Sequence, residues 1–294
     1  MKNFIYKKVS TFEETLRLLS ENREEAKVLA GGTNLLILMK QKFLNPRILI
    51  DVKEIPGAGD IHCDPKEGLT IGPLATIESI ETSEVIQKGF RVISEAAGLL
   101  GSIQIRLRAT LGGNLCHASP SADMAPCLIA LGARVRIAGG QGERWIPLED
   151  FFAGPGKTVL QANELLTSIR VPKVPPRTGC AYVKHSIRKA IEPGIVNVAV
   201  TLTLGESGEN CAEIKIALGA VAPIPMRARK AEDRLRGRKL NEASLEEAAS
   251  LASEEARPIT DVHGSAEYRK AMVGAVTMQS IKQARLNVPR RIHP

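Results

Sequence analysis

The chain has 294 residues, with 40 Lys and Arg against 32 Asp and Glu, a formal net charge of +8. Hydrophobic residues make up 44% and charged residues 24%, a globular balance that excludes collagen-like, coiled-coil and disordered chains. No apolar run approaches the roughly 18–20 residues of a membrane helix, and Met1 to Ser10 lacks the features of a secretory signal, so a cytoplasmic location is expected.

Phe4 to Val9 reads as a short strand. Thr11 with Glu14 three residues later predicts a capping box that opens a helix to about Ser20. Lys27 to Ala30 reads as a strand that runs into Gly31-Gly32-Thr33-Asn34, with a helix over Leu35 to Lys40 and another strand over Arg47 to Val52. Residues 1–52 therefore form one small α/β unit. A second unit, residues 53–173, holds a strand at Leu69 to Leu74, a helix at Arg91 to Leu100, a second glycine turn at Thr110 to Asn114 and a short helix at Ala122 to Leu131. It continues with a hairpin, Ala133 to Ala138 and Arg144 to Leu148 about Gly139-Gly140-Gln141-Gly142, and a strand at Glu164 to Val171. Pro172 to Gly179 reads as a linker. Residues 180–294 follow as three strands (Cys180 to His185, Ile195 to Leu204, Glu213 to Val221) and three helices (Arg227 to Arg236, Ala243 to Glu255, Ser265 to Asn287). Strands followed by helices predict an α+β domain with a three-stranded antiparallel sheet.

The two glycine turns are the strongest candidates for a ligand site. In Ala30-Gly31-Gly32-Thr33-Asn34-Leu35 the glycines remove the Cβ atoms that would block close approach. A helix N-terminus behind them leaves backbone N–H groups for an anion such as a diphosphate. The pattern is not G-x-G-x-x-G, and Gly156-Lys157-Thr158 fails as a P-loop because Phe151 stands where a glycine is required. Downstream of Thr110-Leu111-Gly112-Gly113-Asn114 come Ser119, Ser121 and Asp123, polar groups suited to a ribityl chain or a sugar. Two such turns, one per unit, would clamp a dinucleotide between them. The five cysteines, Cys63, Cys116, Cys127, Cys180 and Cys211, show no metal-ligand or cluster spacing and read as buried or reduced thiols. No catalytic residue and no metal ligand set is assigned; His117, just after the second turn, is the histidine of interest. The basic stretch Arg227 to Lys239 sets seven cations against two acids and reads as a solvated helical face or a docking surface; few aromatics argue against nucleic acid.

Four segments carry a family resemblance. They are Ala30 to Leu36; Ala109 to Asn114 with Ser119-Pro120-Ser121-Ala122-Asp123; Asp150 to Thr158 followed by Glu164-Leu165-Leu166; and Tyr182-Val183-Lys184-His185 leading to Val196-Asn197-Val198-Ala199. In this combination and order the chain resembles the FAD-binding (medium) subunits of molybdenum hydroxylases, the xanthine dehydrogenase and carbon monoxide dehydrogenase group. The resemblance implies an α+β chain with a two-subdomain FAD-binding fold, of the vanillyl-alcohol-oxidase-like type, followed by the C-terminal domain. It implies that Val28, Leu29, Ala30, Gly31, Gly32, Thr33, Asn34 and Leu35, with Thr110, Leu111, Gly112, Gly113 and Asn114, hold the FAD diphosphate. It further implies that Asp123, Leu166 and Lys184 contact the cofactor. Leu100 stands where some members place an aromatic against the flavin ring, and Glu192-Pro193-Gly194 departs from the family pattern. The implied partners are a [2Fe–2S] small subunit and a molybdopterin large subunit, with NAD⁺ or another acceptor receiving the electrons.

Two other readings compete. A stand-alone FAD-dependent reductase of the UDP-N-acetylenolpyruvoylglucosamine reductase type shares a similar Gly-Gly-x-Asn-Leu-Leu turn, but needs substrate-protonating residues that the sequence does not offer. A scaffold protein using Arg227 to Lys239 would bind no flavin.

Overall fold

The computed structural model describes residues 2–188 and 191–289. The chain begins with β1 (Ile5–Lys8), α1 (Phe12–Asn22), β2 (Ala26–Leu29), α2 (Leu35–Lys40) and β3 (Ile48–Asp51). These strands form a parallel sheet in the order β1-β3-β2, and the intervening helices supply the crossovers that parallel pairing needs. The expected capping box is altered. Thr11 accepts from the Glu14 N–H at 3.1 Å, but the Glu14 carboxylate reaches back to the Ser10 N–H rather than that of Thr11.

The second part comprises β4 (Ile61–Asp64), β5 (Gly68–Ile71), α3 (Ile77–Thr82), α4 (Glu84–Gly89), α5 (Arg91–Gly98), α6 (Ile103–Arg106), α7 (Leu111–His117), α8 (Met124–Ala130), β6 (Arg134–Gly139), β7 (Gly142–Pro147), β8 (Phe152–Gly154), β9 (Lys157–Thr158) and β10 (Leu165–Val171). Five of its strands make an antiparallel sheet in the order β4-β5-β10-β6-β7, and β8 pairs with β9 alone. Pro126 sits in the first turn of α8, where the absence of an N–H leaves no intrahelical bond unmade. The second glycine segment is not a free turn. Thr110 caps α7, and Leu111 to Asn114 form its first turn. Sequence periodicity misses α3, α4 and α6, although Thr76, Ser83 and Ser102 cap them as side-chain acceptors.

The C-terminal part comprises β11 (Thr178–His185), β12 (Val196–Leu204), β13 (Cys211–Gly219), β14 (Met226–Arg227), α9 (Arg229–Leu235), α10 (Glu242–Glu255) and α11 (Ala266–Leu286). The expected three-stranded sheet has a fourth, two-residue edge strand, in the order β11-β12-β13-β14. Pro223 and Pro225 precede β14, and proline has no N–H for a ladder, so pairing starts only at Met226. One face of this sheet (Ala181, Val198, Val200, Ile216, Leu218) packs on the three helices. The other face (Tyr182, Ala199, Ala217) belongs to the core of the preceding part, with α8 lying against it.

The basic stretch is largely neutralised within the fold. Arg227 pairs with Glu232 and Glu149, Arg229 with Glu149, Arg234 with Glu247, Arg236 with Glu213 and Asp233, and Lys239 with Glu209. A broad cationic docking surface over Arg227 to Lys239 is therefore not what the chain presents. Glu232 is the buried member, 1% exposed. It accepts from Arg227 at 2.6 and 2.9 Å and from the Ile216 N–H at 2.8 Å. Glu232→Leu leaves the mostly buried Arg227 guanidinium with only Glu149, at 3.7 Å, and the Ile216 N–H without a partner, and is expected to lower unfolding stability by about 3 kcal/mol in a denaturant titration. A midpoint equal to that of the parent chain would contradict this.

Candidate functional site

The first glycine turn meets the segment that leads into the second. A Cβ on Gly31 would overlap the Arg108 carbonyl oxygen and lie 3.0 Å from Ala109 Cα, so only glycine permits this approach. Gly32 adopts φ +77°, the left-handed region that glycine enters at no steric cost. Helix α2 begins directly afterwards, its first bond running from Leu36 N–H to Gly32 O at 3.1 Å. The backbone N–H groups of Gly31 to Leu35 find no acceptor among the described residues.

The second segment is built differently. Its N–H groups are engaged: Leu111 to Ala75 O at 2.9 Å, Gly112 to Pro73 O at 2.8 Å, Gly113 to Thr110 Oγ1 at 3.2 Å and Asn114 to Thr110 O at 2.9 Å. Its two glycines have separate reasons. A Cβ on Gly112 would press on Pro73, 2.8 Å from both its Cβ and its carbonyl oxygen. A Cβ on Gly113 would meet only Thr110 Oγ1, at 2.9 Å, and otherwise enters open space. Asn114 Oδ1 is buried with no hydrogen-bond partner, an acceptor awaiting a donor.

Beyond α7 the chain turns through Ala118, in the left-handed region at φ +49°. The Ala118 carbonyl accepts from Gly156 N–H and the Pro120 carbonyl from Ala220 N–H, at 3.0 and 2.7 Å. This anchoring delivers Asp123 to the face of β11. Asp123 is 6% exposed; it accepts from Tyr182 Oη at 2.9 Å and from Lys184 Nζ at 2.9 and 3.0 Å on its two oxygens. Lys184 Nζ also donates to the Leu99 carbonyl at 3.1 Å, and its side chain is 6% exposed. Burial raises the Asp123 carboxyl above the usual carboxylate range, while Lys184 and Tyr182 oppose that shift. Burial and the neighbouring carboxylate push the Tyr182 hydroxyl well above its ordinary value, so it stays a donor.

Of the other candidates, Leu166 is buried on β10 beside a register shift between Leu166 and Ser168. Leu100 is buried in the core, whereas its neighbour Leu99 is 40% exposed. Val28 is half-buried, Leu29 is buried and Asn34 is exposed. His117 is half-buried, its pKa lowered by burial. All five cysteines are free thiols; Cys127 and Cys211 are buried, Cys63 and Cys180 half-buried, and Cys116 is exposed. No group of three metal-ligating side chains occurs among the described residues.

Residues 2–174 match the family described as "FAD binding domain in molybdopterin dehydrogenase", and residues 181–284 that described as "CO dehydrogenase flavoprotein C-terminal domain". The chain belongs to the FAD-binding subunits of the molybdenum hydroxylases. It is 34% identical over 283 residues to the carbon monoxide dehydrogenase medium chain of Hydrogenophaga pseudoflava, covering 96% of each chain. It is 29% identical over 280 residues to the xanthine dehydrogenase FAD-binding subunit of Escherichia coli O157:H7, covering 95% of each. Among solved structures, a carbon monoxide dehydrogenase from Hydrogenophaga pseudoflava superposes with a TM-score of 0.94 at 32% identity, over 98% of this chain and 99% of that one. Quinoline 2-oxidoreductase from Pseudomonas putida 86 gives 0.90 at 29% identity, with coverage of 98% and 99%.

Membership in these flavoprotein subunits makes FAD the cofactor to test against the site. The residues fit it: an anion-ready row of amides at Gly31 to Leu35, a buried acceptor without a donor at Asn114, and open space in front of Gly113. Three contributors lay outside the sequence-derived set. Tyr182 was within reach, since it shares a strand face with Lys184 two residues on. The Leu99 and Arg108 carbonyls had no signal, because backbone contacts leave no mark on residue identity.

Two outcomes separate the glycines. Gly113→Val is expected to keep most of the fold yet lose FAD retention, whereas Gly112→Ala lowers the melting temperature through its clash with Pro73. Flavin content and thermal melts of the two variants check this; normal flavin in Gly113→Val would remove that space from the site. Neutralising the carboxylate in Asp123→Asn strands a buried ammonium, so a stability loss of about 3 kcal/mol is expected in addition to weaker FAD binding. An unchanged chemical-denaturation midpoint would argue against the pair as drawn.

Proposed function

We propose that this flavoprotein subunit holds FAD across its two glycine segments and serves as the outlet of a three-part electron path. In this reading a [2Fe–2S] small subunit and a molybdopterin large subunit lie upstream, and NAD⁺ or another acceptor lies downstream. The observation that carries the reading is the meeting of the Gly31 turn, whose amides are unengaged, with the Arg108–Ala109 backbone that leads into α7, the helix that carries the Asn114 acceptor.

Val28 and Leu29 lead into the turn. Ala30, Gly31, Gly32, Thr33, Asn34 and Leu35 receive the diphosphate through backbone amides, with Thr33 and Asn34 adding side-chain bonds. Thr110, Leu111, Gly112, Gly113 and Asn114 shape the opposite wall. With its own amides spent on Pro73, Ala75 and Thr110, this wall contributes room and the Asn114 side chain rather than a second anion cradle. Asp123, with Lys184 behind it, orients the polar chain of the cofactor. Leu100 and Leu166 supply apolar surface towards the ring. The bound flavin supplies the ability to accept electrons singly and to release them as a pair, which is why one belongs between iron–sulfur clusters and a nicotinamide. No described helix is long and apolar enough to cross a membrane, which is compatible with the cytoplasmic setting proposed for the complex.

Likeness to medium chains of carbon monoxide dehydrogenase and to a xanthine dehydrogenase subunit supports the subunit assignment over a stand-alone reductase. The test is an absorption spectrum of the complex purified through this chain, before and after anaerobic NADH, with the released cofactor weighed and the co-purifying chains identified. FAD bleached by NADH, together with iron–sulfur and molybdopterin partners, is the expected result. FAD that NADH leaves oxidised would redirect the outlet to another acceptor. A chain purified with flavin but without partners would return the stand-alone reading.

A further inference from the structure

Helix α5 ends at Gly98, and the last carbonyls of a helix have no intrahelical partner. Here the three carbonyls beyond it are met in succession. Leu99 O accepts from Lys184 Nζ at 3.1 Å, Leu100 O from Arg106 Nη1 at 3.2 Å, and Gly101 O from Ile191 N–H at 3.2 Å. Two of these donors come from the C-terminal part of the chain and one from α6. Gly101 closes the turn in the left-handed region at φ +55°. The turn thus meets two cations at the negative end of a helix, an arrangement favoured by the macrodipole.

Arg106 is itself held. Its Nε donates to Glu81 Oε2 on α3 at 2.6 Å, and its side chain is 14% exposed. Glu81 is anchored in turn: its carbonyl accepts from Ser94 Oγ at 2.6 Å and from Gln87 Nε2 at 2.9 Å. The ammonium of Lys184 has three protons, and its acceptors are the two Asp123 oxygens and Leu99 O. A buried cation that loses one of its acceptors is strongly disfavoured. The Leu99 and Leu100 carbonyls lie in successive peptides of one turn, so whatever fixes the backbone of this turn also fixes Lys184 on Asp123.

We propose that Arg106, braced by Glu81, is a positioning residue of the flavin site. By holding the Leu100 carbonyl it keeps the Leu99 carbonyl on Lys184, and so sets the Asp123–Lys184 pair and the Leu100 side chain where the cofactor meets them. The proposal rests on the reading that FAD lies against Asp123, Lys184 and Leu100.

The test uses the full chain, titrated with FAD and followed by flavin fluorescence and visible circular dichroism, with thermal melts alongside. The set is the parent, Arg106→Met, Arg106→Lys, Lys184→Met and the Arg106→Met/Lys184→Met double variant. Arg106→Met is expected to weaken FAD binding about tenfold and to change the visible dichroism of what remains bound. Arg106→Lys should recover most of both. In the Lys184→Met background the Arg106→Met change should add less than about twofold, because its route to the site is already cut. Should Arg106→Met not fold, Glu81→Gln carries the same comparison. Parent-like affinity and dichroism in Arg106→Met, or full additivity with Lys184→Met, overturns the inference while leaving the flavin reading intact. A folded parent chain that takes up no FAD overturns both.

Discussion

A carboxylate and an ammonium, both withdrawn from water, face each other where the C-terminal sheet lies against α8. Asp123 belongs to one part of the chain and Lys184 to another, and each is tolerable in its surroundings only because the other is present. The pair forces the loop from Ala118 to Asp123 to run along β11, and Tyr182 adds a second hold from the same strand face. Residues 172–177, between β10 and β11, therefore join two segments of sequence that pack on each other. The proposed flavin site draws on this seam as well as on the glycine segments.

The glycine segments divide their labour by how their amides are used. Both carry a Gly-Gly pair, and in sequence they look equivalent. In the fold the first leaves its amides unengaged, while the second commits its own to Pro73, Ala75 and Thr110. The difference follows from context. The first pair closes a loop between a strand and a helix, and the second sits inside the opening turn of α7, pressed on Pro73. Amides without an acceptor are therefore concentrated beside the small parallel sheet, and close steric contact on the larger part.

Much of this was legible in the residues. Strand-like runs marked the long strands of the C-terminal sheet, and the cap at Thr11 marked its helix. Three of the short helices, α3, α4 and α6, escaped, because they are too short to complete a periodic pattern even though their capping residues were present. The edge strand β14 escaped for the same reason. The Asp123–Lys184 contact spans 61 residues and has no local signature. The pairing of the basic stretch was not legible, because its partners Glu149, Glu209, Glu213 and Glu247 lie on other elements, and charge counted along a chain ignores what folding brings opposite.

The C-terminal sheet is covered on both faces, by its own helices on one side and by α8 with its neighbours on the other. Cutting the backbone in the proline-rich linker would leave a second piece whose Tyr182, Ala199 and Ala217 face had lost its cover, next to a lysine without its counter-ion. Such a piece would be sticky alone and specific in company. The two halves carry the information for a non-covalent reunion, so the natural seam of this chain is a place for fragment complementation rather than for dissection into autonomous modules.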